Sequence, residues 1–243
     1  MRAKKRILTS ILLLNLICTG LLTAQSVDEI INKHVKAMGG TEKLSQLKSI
    51  KIAANMEVMN MEVPVTTTIV QNKAFRTETS LQGMTIIQAI DGDTGWMINP
   101  MTGDNTPTPL AEETIAILSA QTDITGLFNY KEKGYKATLE GEEDLGGAKV
   151  YKVVITLPSG IQQTNYISKE TFYILKIKSI VQVEGNEITS ENKQSNFKQV
   201  SGITVPFLSE ITSSAMPEAK MTNTITSVEI NPKIQEGYFA MPK

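Results

Sequence analysis

Few residues in this sequence are equipped for chemistry, and they lie far apart. The 243-residue chain holds one histidine, His34, and one cysteine, Cys18. A lone imidazole can serve as a base or a ligand, but no Ser-His-Asp relay can be argued from it without further positional signal. His34 sits on or beside an apolar helical stripe, where a structural histidine with a local partner is the expected reading. One Cys and one His exclude a Cys/His zinc cluster and an internal disulfide. The acidic groups Asp91-Gly92-Asp93 and Glu140-Gly141-Glu142-Glu143-Asp144 lack EF-hand spacing and read as solvated hairpin turns. Two carboxylates converging for glycoside hydrolysis are the remaining catalytic option, although one Trp is sparse equipment for sugars. No GxSxG, HExxH or P-loop pattern occurs. The expectation is a protein with no catalytic residue, no metal and no cofactor.

The amino terminus has the layout of an export signal. Arg2, Lys4, Lys5 and Arg6 precede a mostly apolar run from Ile7 to Leu22, and Thr23-Ala24-Gln25 offers a small residue before a polar start. The run is short for a membrane span and carries polar interruptions. Cleavage is expected after Ala24. Cys18 follows Ile17 rather than a small residue, so lipidation at that position is not expected. Removing residues 1–24 takes 24 bases to 20 against an unchanged 25 acids, for a net charge of −5, and leaves no cysteine. A thiol-free chain suits an oxidising compartment. The charge gives no basic field for nucleic acid. A periplasmic protein that does not span the membrane after processing is expected.

Any site must be positioned by the elements that follow. Val27, Ile30, Ile31, His34, Val35 and Met38 recur at helical spacing, and Gly39-Gly40 ends that helix. From Lys48 the period becomes two. Strands are expected near residues 50–58, 63–69, 75–81, 84–90 and 96–98, with Pro64 at a strand start or edge. Thr108-Pro109 predicts a helix entry, and Leu110, Ile115, Ile117 and Leu118 give that helix an apolar face. After Tyr135 the chain reads as consecutive strands and hairpins to Asn231. Nearest-neighbour connections favour antiparallel pairing. The fold class is therefore mainly β (α+β). A strongly curved antiparallel sheet forms an incomplete barrel, and the N-terminal and mid-chain helices cover its concave side. Residues 25–243 are expected to form this single domain.

That geometry encloses an apolar cavity. Its expected lining is Ile50, Ile52, Met56, Val65, Ile69, Phe75, Met84, Ile86, Trp96, Ile98, Ile115 and Leu118. Six methionines (56, 59, 61, 84, 97 and 101) cluster in the first half. Methionine recurs on surfaces that accept varied apolar ligands.

Five segments resemble the periplasmic lipoprotein-carrier (LolA-type) group, within the outer-membrane lipoprotein-sorting-like proteins. They are His34-Val35-Lys36-Ala37-Met38-Gly39-Gly40, Phe75-Arg76, Asp91-Gly92-Asp93-Thr94-Gly95-Trp96, Gly202-Ile203-Thr204-Val205-Pro206 and Phe239-Ala240-Met241-Pro242. The resemblance implies a half-barrel with a helical lid, which binds acyl chains of a lipid or lipoprotein. Inner- and outer-membrane envelope proteins are the implied partners. It also implies an arginine that latches the lid, for which Arg76 is the candidate by its Phe-Arg context. Strict alternation, however, points Arg76 away from the face that Phe75 occupies. Three functions compete at this stage: a non-catalytic carrier of acyl chains, a cell-envelope interaction or sensor module on the same fold, and a carboxylate hydrolase.

Overall fold

The computed structural model describes residues 25–183 and 186–242. The export signal expected at residues 1–24 lies outside the described residues. The first helix, α1 (Val27–Ala37), starts at Ser26, whose hydroxyl accepts the Glu29 N–H at 3.2 Å. Asp28 and Glu29 stand at its positive end and Lys36 near its negative end, as the helix dipole favours. Gly39, at φ +133°, turns the chain into α2 (Gly40–Ser45). A Cβ on Gly39 would stand 2.7 Å from the Gly202 carbonyl oxygen. This glycine thus serves both a backbone conformation and a close approach.

The strands follow in chain order: β1 (Ser49–Val58), β2 (Met61–Val70), β3 (Ala74–Leu81), β4 (Met84–Asp91) and β5 (Thr94–Ile98). A two-residue strand, β6 (Thr108–Pro109), precedes α3 (Glu112–Ser119). Then come β7 (Lys136–Leu145), β8 (Ala148–Thr156), β9 (Gln162–Ser168) and β10 (Ile174–Val183). The last three are β11 (Asn186–Val200), β12 (Ile203–Ser213) and β13 (Met216–Ile230). All thirteen join one antiparallel sheet, in the order β6-β5-β4-β3-β2-β1-β13-β12-β11-β10-β9-β8-β7. The first and last long strands therefore meet in the middle, with Ile50 opposite Ile230 and Val58 opposite Met221. Strand makes up 55% of the structure and helix 14%.

The sheet does not close into a barrel. Register shifts at Ala53/Ala54, Leu139/Gly141, Ile174/Lys176 and Ile211/Ser213 add local twist. Pro64 pairs with Asn55 of β1, while the ladder to β3 begins one residue later at Val65. Its missing N–H therefore costs no bond on that side.

One local expectation fails. Thr108-Pro109 is not a helix entry. It pairs with Met97 and Trp96 as β6, and α3 begins only at Glu112, with no side-chain cap from Ala111. The residue before a proline avoids the helical region, and the Thr108 hydroxyl donates to the Met97 carbonyl at 3.3 Å. Extended pairing is the outcome.

Three side-chain cores occupy the covered face. Ile30 and Ile31 of α1 pack on Tyr151, Val153 and Ile155 of β8 and on Ile167 of β9. Leu44 and Leu47 pack on Ile203 and Val205 of β12. Leu118 of α3 packs on Ile50, Ile69, Phe75 and Ile90.

Candidate functional site

Cross-strand register decides which predicted residues share a face. Ile50, Ile52 and Met56 of β1 stand opposite Ile69, Thr67 and Val63 of β2, and Ala54 stands opposite Val65. Val65 and Ile69 pair with Thr79 and Phe75, which pair in turn with Ile86 and Ile90. Leu81 and Met84 close the β3–β4 pairing on the same face. Eight predicted strand residues thus lie together on the face that α3 covers: Ile50, Ile52, Met56, Val65, Ile69, Phe75, Met84 and Ile86. Ile115 and Leu118 approach them from α3. Ile50, Ile69, Phe75 and Leu118 are buried in the core beneath that helix, whereas Ile52, Met56, Val65, Met84 and Ile86 are half-buried beyond it.

Trp96 and Ile98 are on the other face. Trp96 pairs with Ala89, and Ile98 with Ile87, one position out of phase with Ile86 and Ile90. Gly95 faces α3 in their place. A Cβ there would stand 2.9 Å from Ile90 Cγ2 and 3.0 Å from Ile115 Cγ1 and Leu110 Cδ1. The missing side chain lets Leu110 and Ile115 settle on the sheet. Trp96 is instead buried under the carboxyl-terminal segment, and its Nε1–H donates to the Phe239 carbonyl at 2.8 Å.

Arg76 belongs to that second face as well. Its Nη1 donates to the Tyr238 carbonyl at 2.7 Å and its Nε to Glu78 at 2.8 Å. The guanidinium lies 4.5 Å from the Tyr238 ring centre and 5.6 Å from that of Trp96. Alternation from inward-facing Phe75 is the reason. In this structure Arg76 fastens the carboxyl-terminal segment, and its bonds do not reach α3.

The lining proposed from sequence was drawn from the first half of the chain and α3. The second half contributes to the covered face as well. Ile225 and Val228 of β13 and Phe207 of β12 pack beside the α2 core, and Met221 pairs with Ile211. Only the pairing of β1 with β13 brings these residues next to Ile52 and Met56, and local periodicity carries no sign of that pairing. Farther along the sheet Asn192 and Asn165 interrupt the same face, beside Ile211, Ile177 and Val153, before it becomes apolar again under α1. The continuous apolar floor therefore runs from β12 through β13 and β1 to β4.

A cleft of about 380 Å³ separates α3 from the far wall. Ala116 and Ile117 line one side of it, and Ile161, Ile180 and Val181 line the other. Ile117, expected on the buried stripe of α3, faces this cleft.

A buried polar cluster anchors the exit from α3. Asp123 accepts from Gln71 Nε2 at 2.9 Å, from Lys133 Nζ at 2.7 Å and from the Tyr135 hydroxyl at 2.8 Å. The Asp123 and Lys133 side chains are only 9% and 13% exposed. Burial pushes the Asp123 carboxyl up, but the donors from Gln71, Lys133 and Tyr135 outweigh it and hold the group below its usual range. Burial and the Asp123 charge push the Tyr135 phenol up. The Asn72 N–H also donates to the Thr122 carbonyl at 3.0 Å, which ties the end of α3 to the β2–β3 turn.

His34 is buried rather than flanking, and its Nδ1 lies 2.8 Å from the Phe172 carbonyl oxygen. The partner is remote in sequence, not local. Burial lowers its pKa more than that bond raises it. The unfolded chain then takes up a proton near pH 6.5 while the folded chain does not. Stability is unaffected above that pH and is expected to fall below it, by at most about 1.4 kcal/mol per pH unit for one proton. Urea melts of the parent and of His34→Gln between about pH 7 and pH 5 check this. The parent should show the slope and the variant should lose it.

Among the described residues no group of three or more His, Cys, Asp or Glu is placed to hold a metal ion, and no helix is long and apolar enough to cross a membrane. No family model matches the sequence, and no curated protein matches it significantly. The fold does have counterparts. A LolA superfamily protein from Nitrosomonas europaea superposes with a TM-score of 0.59 at 11% identity, over 89% of this chain and 98% of that one. A DUF1329 family protein from Desulfovibrio piger gives 0.59 at 12% identity, over 89% and 98%. A domain described as an outer-membrane lipoprotein-sorting protein, from Vibrio parahaemolyticus, gives 0.55 at 14% identity, over 87% and 95%. At these identities the likeness establishes a shared LolA-type fold.

Proposed function

We propose that this chain is a non-catalytic periplasmic carrier that takes acyl chains of a lipid or lipoprotein against the floor formed by β12, β13 and β1 to β4. The observation that carries this reading is the row of half-buried Ile52, Met56, Val65, Met84 and Ile86 beyond α3, with an open cleft beside that helix. Transfer of a chain from water to such a surface stabilises the complex by about 0.8 kcal/mol per methylene. Methionine and aliphatic side chains adapt to a flexible ligand. The shared fold supports the reading, and so does the expected export signal. Residues 25–243 acting as a single domain is part of the same proposal.

Native mass spectrometry and lipid extraction of the purified protein test it, together with titration by a fluorescent fatty acid. Met56→Lys is expected to weaken uptake at least about tenfold, because a charge on the floor must lose water without a partner. Failure of the parent to take up any acyl ligand would sink the proposal.

The second reading is an envelope interaction module that binds no lipid. The three filled cores on the covered face favour it. It predicts no uptake by the parent and a partner protein that stays bound after delipidation.

A further inference from the structure

We infer that the covered face of β9, β10 and β11 seats the polar linkage of the cargo, and that this cargo is an uncharged acyl ligand with a hydroxyl or amide N–H beside its chain. The inference rests on the carrier reading and names the class of molecule carried. Register places one neutral band on that face. Val153 and Ile155, packed under α1, pair with Asn165 and Gln163 of β9. These pair with Ile177 and Ser179 of β10, which pair in turn with Asn192 and Ser190 of β11. Gln194 follows on the same face, opposite Ser209. Amides and hydroxyls therefore surround Ile177, and none of these side chains is charged. The reverse of the same strands carries Lys176, Lys178, Glu191 and Lys193, with Lys176 Nζ 3.8 Å from Glu191.

Two of the inward amides lack partners. Among the described residues, Asn192 Oδ1 is the only buried side-chain polar atom with no hydrogen bond. Asn165 is 3% exposed, and its amide makes one long bond, from Nδ2 to the Gln163 carbonyl oxygen at 3.4 Å. Native proteins leave few such groups unpaired. Both orphans are oxygen acceptors, so the group that completes them must bring an O–H or N–H. A carboxylate brings none at neutral pH. It would also lose water with no cation on the band to receive it, and Glu113 stands beside it on the wall of the cleft. The first base farther along this face of β11, Lys198, lies over the Phe207 ring instead.

The band also lies where a linkage must sit if the tail is to reach the floor. Val181 lines the cleft beside α3, and Ile177 follows it on the same face of β10, four residues or about 14 Å along the strand. Asn192, Ile211, Met221 and Val58 form one cross-strand row. A chain laid along that row from Asn192 reaches β1, beside Met56, after three strand spacings, roughly 14 Å. Asn192 as a whole is half-buried. Its oxygen has no bond to lose when the side chain turns toward a ligand.

The test compares monolaurin, lauramide, methyl laurate and laurate, which share one chain length, by displacement of a fluorescent monoacylglycerol. Monolaurin and lauramide bring donors and should bind the parent at least about tenfold tighter than methyl laurate or laurate. Asn192→Leu should remove most of that preference and leave methyl laurate binding unchanged. Its melting temperature should not fall, because the deleted oxygen holds no bond. Asn165→Leu is the second variant and should also reduce the preference. Equal binding of all four ligands by the parent would overturn the inference and leave the carrier reading standing, whereas binding of none, the fluorescent probe included, would overturn both. A preference for laurate, or a preference for donors that both variants retain, would overturn the inference alone.

Discussion

Asp123→Ala is expected to lower the unfolding free energy by about 3–5 kcal/mol, because it strands the Lys133 ammonium in a buried site. The carboxylate receives Gln71, Lys133 and Tyr135 together, and these join the segment after α3 to the β2–β3 turn. Its removal takes the acceptor from the Tyr135 hydroxyl and the counter-charge from Lys133, which keeps only the neutral Thr125 Oγ1 and Gly126 carbonyl as partners. For a domain of this size the loss corresponds to roughly 10 °C in melting temperature. Asp123→Leu combined with Lys133→Met should cost far less, since removing both charges of a buried pair leaves nothing uncompensated. A double-mutant cycle by urea denaturation checks this, and a double variant as damaged as the single one would contradict it. The pH dependence has a definite sign. The folded carboxyl has a lowered pKa, so its contribution is fully present above the unfolded value of about 3.9 and is lost as pH falls through the folded one. This window lies well below that of His34, so the two groups separate in a pH series.

Gly95→Val should have the second large effect, on α3 more than on the sheet. The φ of Gly95 is not in the left-handed region, so only space is at issue. A Cβ alone would press on Ile90, Ile115 and Leu110 at 2.9 to 3.0 Å. Ile90 is fully buried and cannot retreat, so Leu110 and Ile115 must move and carry α3 off the floor. Overpacking of this kind costs about 1–3 kcal/mol. Hydrogen exchange should localise the change: amides of residues 112–119 should exchange at least about tenfold faster, with β1 and β13 unchanged. On the proposed carrier reading, fatty-acid release should also become faster. Slow exchange in α3 of Gly95→Val would show that the helix does not depend on this contact.

The half of the fold nearest the amino terminus was legible because its strands have one covered face and one exposed face. Ile50, Ile52 and Met56 alternate with Lys51, Ala53 and Asn55, and the structure places them accordingly. Trp96 and Ile98 were expected in the lining, but they pair with Ala89 and Ile87 on the other face. The phase along β5 puts Gly95 inward. The start of β13 at Met216 was not legible either, because Met216 to Met221 show no alternation.

The five resembling segments gain a physical meaning that no single one conveys. They meet in pairs. The Met38 carbonyl accepts the Thr204 N–H at 2.9 Å, and Gly39 packs on Gly202. Arg76 and Trp96 hold Tyr238 and Phe239. These residues are joints of the scaffold. The floor itself is built from interchangeable aliphatic residues, which explains why the fold was easier to read than the site.

The outermost strands have a consequence for solubility. A sheet that stops short of closure has two free borders, each able in principle to recruit a strand from another molecule. Here both borders are poor templates. β6 is two residues long and ends in Pro109, which offers no N–H. β7 carries Glu140, Glu142, Glu143 and Asp144 and is interrupted at Gly141, where φ is +126°. Charge, proline and a broken ladder oppose fibrous assembly, so the sheet can stay open without polymerising.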